Sequence, residues 1–361
     1  MTDRPYLMAL GLMSGTSLDG VDAAIIRTDG EQVSFSGPSI SLHYDEFFRR
    51  RLRDLLGRLP GPGDDSVVRN LTLKHVEAVR TLLDEVGLLR QNIDVIGFHG
   101  QTVFHDPSAG ISCQIGDGRV LAAETGIRVV NDFRARDVAA GGEGAPLTPL
   151  YHAALARELD KPLVVLNIGG VANVTWIGEG GDILAFDTGP GNALIDDWTA
   201  AAIGRPMDEG GRLAKGGKVN QDCLKIYMEH NYFQRKPPKS LDREDFDLEA
   251  AKGLSAADGA ATLTAFTAAC IARAREHFPT APKRWLVCGG GRHNGTLMSA
   301  LTEILQTSVA PVETVGWEGD VLEAQAFAFL AVRSLYGLPL SLPSTTGVSA
   351  PMTGGVLHQP A

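Results

Sequence analysis

The segment Gly11-Leu12-Met13-Ser14-Gly15-Thr16-Ser17-Leu18-Asp19-Gly20-Val21-Asp22 lies between two hydrophobic runs. Such a loop has the chemistry of a phosphate cradle. Glycine lets backbone N–H groups converge on an anion without Cβ clashes. Ser14, Thr16 and Ser17 add hydroxyl donors, and Asp19 adds a carboxylate able to hold Mg²⁺ through water. A plain hairpin turn needs only Asp19-Gly20, and Ser-Gly-Thr-Ser is more than that. Two further glycine turns follow hydrophobic runs, Gly169-Gly170-Val171-Ala172-Asn173 and Gly289-Gly290-Gly291-Arg292-His293-Asn294. The last leads into a helix, whose free N–H groups and dipole favour anions or polar ligand edges. Three such turns at strand ends point to a nucleotide clamped between domains.

Asp187 carries a different chemistry. It ends an apolar run and precedes Thr-Gly-Pro-Gly-Asn. Ligand clefts of open α/β sheets lie at strand carboxyl ends, which makes Asp187 a candidate general base. It lies too far upstream to cap the helix expected from Ala193, for which Asn192 is the better cap. His99, beside Gly100-Gln101-Thr102, reads as a pocket residue; a metal pair with His105 lacks a third ligand at suggestive spacing. Arg134 and Arg136 fit either a substrate carboxylate or surface ion pairs. Gly211–Lys218 imitates a Walker A loop but has one residue too many and Val219 where Ser or Thr belongs. Gly289-x-Gly291-x-x-Asn294 falls one residue short of a dinucleotide fingerprint, and Glu313 stands where a ribose ligand would. That keeps a dehydrogenase as a competing reading, although too few residues follow for the usual nucleotide-binding unit. Pro237-Pro238-Lys239-Ser240 reads as a stiff loop.

Strands are expected at Tyr6–Met13, Val21–Thr28, Gln32–Ser36, Ser39–His43, Ile93–Phe98, Ile111–Ile115 and Arg128–Asn131. Apolar spacing of three and four predicts helices over Asp45–Arg58 and Ser66–Leu88, and Arg119–Glu124 also reads as helical. Asp137–Pro149 is rich in Gly, Ala and Pro and is either an interdomain crossover or a surface loop. The pattern then restarts with strands at Leu163–Ile168, Val174–Ile177, Ile183–Phe186 and Trp285–Cys288. Helices are expected over Val219–Asn231, Ala256–His277, from Asn294 to Leu305, and Asp320–Tyr336. Two halves that each begin strand, glycine loop, strand suggest an internal duplication. The expected division is 1–140 and 141–336, with 320–336 packing back on the first lobe and 337–361 irregular.

The chain has 361 residues, enough for two domains with cores of their own. A net charge of -10 argues against nucleic acid as a main partner. Mean hydropathy of -0.01 and a 44% apolar fraction fit a globular protein. Four scattered cysteines fit a reducing compartment. Neither a membrane span nor a secretory signal is legible, so a cytoplasmic enzyme is expected.

GLMSGTSLDGVDAA, GFHGQTVFH, QIGDG, VNDFRARDVAAGGEGAPL, NIGGVANVT, FDTGPGNALID, PPKSLDREDF, CGGGRHN and GDVLEAQAFAFLA occur in this order. The chain thereby resembles the anhydro-N-acetylmuramic acid kinase family over essentially its whole length. The resemblance implies an α/β, duplicated two-lobe fold of the actin-like ATPase and sugar kinase type, with mixed sheets flanked by helices and a central cleft. It implies ATP with Mg²⁺, and homodimers. Ser14, Gly15, Thr16, Ser17, Leu18, Asp19, Gly20 and Val21 would form the first phosphate loop. Gly169, Gly170 and Asn173 would form the second, and Gly289, Gly290, Gly291 and Asn294 the adenosine site. Asp187 would be the base; His99, Gln101, Asp117, Arg134 and Glu323 would hold the sugar. The implied reaction opens the 1,6-anhydro bridge with water and phosphorylates O6, in peptidoglycan recycling. A nucleotide-driven chaperone or regulator ranks third, because neither a peptide-binding domain nor a basic helix-turn-helix is legible.

Overall fold

The computed structural model describes residues 4–15 and 17–360. Its strands are β1 Leu7–Ser14, β2 Gly20–Thr28, β3 Val33–His43, β4 Val95–Asp106, β5 Ile111–Ile115, β6 Val129–Asn131, β7 Leu163–Ile168, β8 Val171–Ile177, β9 Ile183–Pro190, β10 Arg284–Cys288, β11 Ser308–Pro311 and β12 Val356–His358. The α-helices are α1 Glu46–Arg53, α2 Asp65–Glu85, α3 Gly118–Thr125, α4 Ala135–Ala139, α5 Pro149–Leu155, α6 Ala193–Ile203, α7 Arg212–Lys215, α8 Gln221–Met228, α9 Ala256–Arg273, α10 Gly295–Leu305, α11 Leu322–Leu335 and α12 Pro343–Thr346. Two compact units result: Met1–Glu158 with Val321–Ala361, and Leu159–Asp320.

In the first unit the sheet order is β12-β6-β4-β1-β2-β3, with β5 on β4. β1 and the first half of β4 are buried almost continuously, because helices cover both faces of the sheet there. On one face, α2 contributes Val67, Leu71, Val76, Val79 and Leu82 to a core with Leu10, Leu12 and Ile96. On the other lies α11, buried continuously from Ala324 to Arg333. Gly11 and Gly97 pair across β1 and β4. A Cβ on Gly11 would stand 1.7 Å from the Ala324 carbonyl oxygen, and one on Gly97 2.0 Å from that of Phe327. The α11 backbone thus rests directly on the sheet, and only glycine leaves room for it.

The second unit orders its sheet β11-β10-β7-β8-β9. In each unit three antiparallel strands are followed by two more that run parallel to the first, so β6-β4-β1-β2-β3 and β11-β10-β7-β8-β9 are the same motif. This is the duplication that the repeated strand–glycine–strand pattern suggests, here visible as topology. Val164, Leu166, Val174, Phe186 and Val287 form the core on one face.

The structure differs from the sequence reading in several places. β3 is one strand where two were expected, because the ladder to β2 continues past Gly37-Pro38 through a register shift. β4 runs on through His99–Thr102, since its pairing with β5 carries the ladder to Asp106. His99 and His105 therefore share a strand rather than flank a turn. Residues 137–149 stay within the first unit, and the chain leaves it only after Glu158. The carboxyl-terminal stretch 337–361 is not simply irregular: α12 forms there and β12 pairs with β6. Buried Asp137 staples it, accepting the Gly144 N–H (2.7 Å), the Thr346 hydroxyl (2.7 Å) and the Ser341 hydroxyl. Charge-assisted bonds of this kind hold where a neutral turn would fray.

Candidate functional site

In the second unit, strand register aligns Cys288, Asn167, Asn173 and Asp187 as successive cross-strand partners at one end of the sheet. From that end leave both the Gly169-Gly170 turn and the Gly289–Asn294 turn. Paired residues point to one face of a sheet, and here it is the face opposite Leu166, Val174, Phe186 and Val287. The Asn173 side-chain oxygen is buried without a hydrogen-bond partner. An orphaned buried acceptor costs about 1–3 kcal/mol unless a ligand satisfies it.

Asp187 is buried at the carboxyl half of β9 and held at three points. Its N–H donates to the Lys239 carbonyl (3.0 Å), its carbonyl accepts the Tyr232 hydroxyl (2.5 Å), and its Oδ2 accepts the Leu241 N–H (2.9 Å). It does not cap α6. Asn192 holds the N-cap position, as expected, but makes no side-chain capping bond: its side-chain amide donates to the Ile168 carbonyl (3.2 Å). The first N–H groups around α6 are met by the glycine turn: Gly191 and Ala193 donate to the Gly170 carbonyl, and Asn192 to that of Gly169.

The glycines divide by what surrounds them. A Cβ on Gly15, Gly169 or Gly290 would meet nothing closer than 3.6 Å. One on Gly20, Gly289 or Gly291 would stand within 2.4 Å of the Leu42 carbonyl, Asn167 or Ile168. The first three have space above them; the second three are packing glycines. Each of the three turns keeps one open glycine. Asn294 caps α10 through Leu297 N–H (3.0 Å). Glu313 is paired with buried Arg292 (2.8 Å), which also meets Asp320 (2.7 Å) and the Gly289 carbonyl. Glu313 thus anchors the glycine turn, which removes the ribose-binding role that a dehydrogenase would need.

In the first unit, Ser14 closes β1 and is fully enclosed. Its hydroxyl donates to the Gln101 side-chain oxygen (2.7 Å) and lies 2.9 Å from the Tyr44 hydroxyl. Leu18 and Val21 belong to the core, so only their main chains can meet a ligand. Thr16 lies outside the described residues, and Ser17 is exposed. Asp19 is exposed and ion-paired with Arg49 (3.1 Å). Among the described residues no group of three or more His, Cys, Asp or Glu could hold a metal ion.

His99, Arg134 and α11 come together. The Arg134 guanidinium donates to His99 Nε2 (3.0 Å) and to the Gly144 carbonyl (2.7 Å), while Phe327 lies 4.4 Å from the imidazole, ring centre to ring centre. Glu323 lies one helical turn before Phe327, hence on the same helix face. Asp117 stands apart in role: its carboxylate caps α3 through Arg119 and Val120 N–H groups. Arg136 reaches Thr353 rather than joining Arg134. A cavity of about 450 Å³ opens beside His99 and is lined by Phe98, Ser112, Cys113, Gln114, Asn131 and Asp132. Asp132 holds a left-handed φ of 53°.

Burial, then the Arg134 charge, holds the His99 imidazole well below its usual range, so it accepts rather than donates at Nε2. Burial lowers His75 to about 4 and His152 to about 3. These depressed values carry a sign. The unfolded chain takes up protons at these histidines below about pH 6.5 while the folded chain does not. Stability is therefore expected to fall as pH drops below about 6.5, by up to about 1.4 kcal/mol per pH unit for each histidine. Urea unfolding at pH 7.0, 6.0 and 5.0 checks this, and His75→Gln should flatten the slope; a pH-independent midpoint would contradict it.

Sequence reasoning missed the Tyr232–Leu241 bracket on Asp187. The available signal was PPKSLDREDF, one of the strings that carry the family resemblance; read by itself, Pro237-Pro238-Lys239-Ser240 is only a stiff loop. Tyr44, which buttresses Ser14, had no local signal. The profile of the family described as anhydro-N-acetylmuramic acid kinase matches residues 7–360. A protein of that name from Rhodospirillum rubrum is 57% identical over 351 residues, 96% of this chain and 93% of that one. One from Paramagnetospirillum magneticum is 56% identical over 358 residues, 98% and 100% of the two chains. Among solved structures, a glucokinase of the ROK family from Streptomyces griseus, in complex with glucose and AMPPNP, matches at 13% identity and a TM-score of 0.42, over 90% of this chain and 99% of that one.

Proposed function

Because this chain belongs to the anhydro-N-acetylmuramic acid kinase family, we propose that Asp187 is the general base of its reaction. The reaction opens 1,6-anhydro-N-acetylmuramic acid with water and phosphorylates O6 at the expense of ATP, giving N-acetylmuramic acid 6-phosphate and ADP. The bicyclic sugar offers no free O6 hydroxyl. Water attacks C1, the C1–O6 bond breaks, and O6 forms a bond to the γ-phosphorus as ADP leaves. The water proton goes to the Asp187 carboxylate. Positioning and charge neutralisation supply the rest of such a phosphoryl transfer.

What supports the reading is the cross-strand row that sets Asp187 beside the orphaned Asn173 oxygen and two glycine turns. The turns of Gly15, Gly169 and Gly290 hold ATP in this reading, through main-chain N–H groups that their open Cα positions leave approachable. Ser14, Gly20, Gly289 and Gly291 shape those turns, and Asn294 fixes α10 behind the third. His99, Gln101 and Arg134 belong to the sugar site with Glu323. Asp117 serves that site by fixing α3.

Mg²⁺ fits this donor set only as an ion carried mainly by ATP, with Asp19 reaching it through water. Bound so, it would neutralise phosphate charge. Homodimerisation and work in the cytoplasm complete the proposal. The reaction is tested with ATP, Mg²⁺ and the anhydro sugar in ¹⁸O water, reading products by mass spectrometry. Label is expected on the C1 hydroxyl of the phosphorylated sugar. Label in inorganic phosphate instead would mean simple ATP hydrolysis and would overturn the reading.

A further inference from the structure

Lys239 is buried, yet it lies in a polar connection between α8 and α9, where a lysine would ordinarily reach water. Its ammonium donates to the Tyr232 carbonyl (3.2 Å) and stands 4.2 Å from the centre of the Tyr232 ring. The two ends of the segment 232–239 are thereby tied to each other. Three bonds to Asp187 come from this segment and the two residues after it: from the Tyr232 hydroxyl, to the Lys239 carbonyl and from the Leu241 N–H. Burying an ammonium is expensive unless it is paired. A packing role alone would be met more cheaply by Leu or Met.

We infer that Lys239 is a positioning residue for the reaction: its ammonium locks Tyr232, and the closed 232–241 segment fixes the attitude of the Asp187 carboxylate. This rests on the reading of Asp187 as the base. Lys239 does not touch substrate in this scheme; it acts through Tyr232 and Leu241.

The charged groups facing Lys239 come from several elements: Arg235 on its own segment, Arg273 and Cys270 on α9, Asp187 on β9, and His277 just past α9. Burial, then Arg235 and Arg273, bring the Lys239 ammonium down to about 8, against the pull of Asp187. Burial holds the Cys270 thiol well above its ordinary value, and burial with Lys239 lowers His277. Neither therefore changes charge where Lys239 does. The lock is present below about pH 8 and is lost as pH rises through it. Deprotonation removes the cation–π attraction between the ammonium and the Tyr232 ring.

The test measures steady-state kinetics of the full chain by ADP release, from pH 6.5 to 9.5, for wild type, Lys239→Met, Tyr232→Phe, the double variant and Asp187→Asn. Lys239→Met is expected to lower kcat at pH 7 at least tenfold with KM for ATP within twofold. Wild type is expected to lose kcat through about pH 8, and Lys239→Met to lack that decline. The double variant should be no worse than Lys239→Met alone, because both changes open one bracket. Wild-type kcat in Lys239→Met with an unchanged alkaline decline overturns the inference, as do losses that multiply in the double variant. Thermal unfolding reports whether each variant folds. Should Lys239→Met not fold, the wild-type pH profile decides: a flat kcat between pH 7 and 9 overturns the inference. Near-wild-type turnover in Asp187→Asn would instead sink the base itself. An inactive Asp187→Asn beside a fully active Lys239→Met sinks only the positioning role.

Discussion

Asp187→Asn is expected to lower kcat for sugar phosphorylation by about 10²–10⁴-fold, the usual contribution of a positioned general base, while ATP still binds. The substitution is nearly isosteric. An amide oxygen can still accept the Leu241 N–H, and the bonds of the Asp187 main chain to Lys239 and Tyr232 are untouched. What disappears is the capacity to take a proton from water. Calorimetric titration with ATP and single-turnover product analysis separate the two effects. Turnover within a few fold of wild type, with ATP affinity retained, places the base elsewhere. Loss of ATP binding would mean that the variant disturbs the neighbouring glycine turns, and the kinetic loss could not then be assigned to proton transfer.

Gly11→Ala is expected to produce the largest loss of stability of any single methyl addition in the first unit. The added carbon would lie 1.7 Å from the Ala324 carbonyl oxygen and 2.7 Å from the Ala328 nitrogen. Both are helix backbone, so no side-chain rotation relieves the clash. α11 must lift away from β1, and with it the packing of Phe327 on His99. Overpacking that flexible neighbours absorb costs about 1–3 kcal/mol; here the loss should reach or exceed about 3 kcal/mol. Urea unfolding measures it. Gly15→Ala is the matched contrast, since its nearest neighbour would be 3.9 Å away. Its unfolding midpoint should stay close to wild type. Equal midpoints for Gly11→Ala and wild type would mean that α11 does not rest on the sheet as described.

The two substitutions show why some of this molecule was legible in advance and some was not. Gly11 falls inside the strand expected at Tyr6–Met13, but a strand pattern says nothing of what packs on its glycine. Its true neighbour, Ala324, is more than 300 residues away in the chain, beyond the reach of any local pattern. Gly20 and Gly15 look alike in sequence, yet one packs on the Leu42 carbonyl and the other faces open space. Glu313 matched a ribose ligand by spacing and turned out to be bonded to Arg292. Asn192 had the right type and place for a cap but found the Ile168 carbonyl closer.

The chain on its own determined the mixed α/β class and the repeat of strand, glycine turn and strand. It also determined the family, because those rest on short stretches where backbone freedom, hydroxyl donors and apolar periodicity act locally. Only the tertiary structure decided which glycines stand open and which pack, how the tail is stapled through Asp137, and what grips Asp187. These depend on groups that meet across 45 to more than 200 residues, and a contact of that span is fixed by how whole layers pack rather than by the residues beside it.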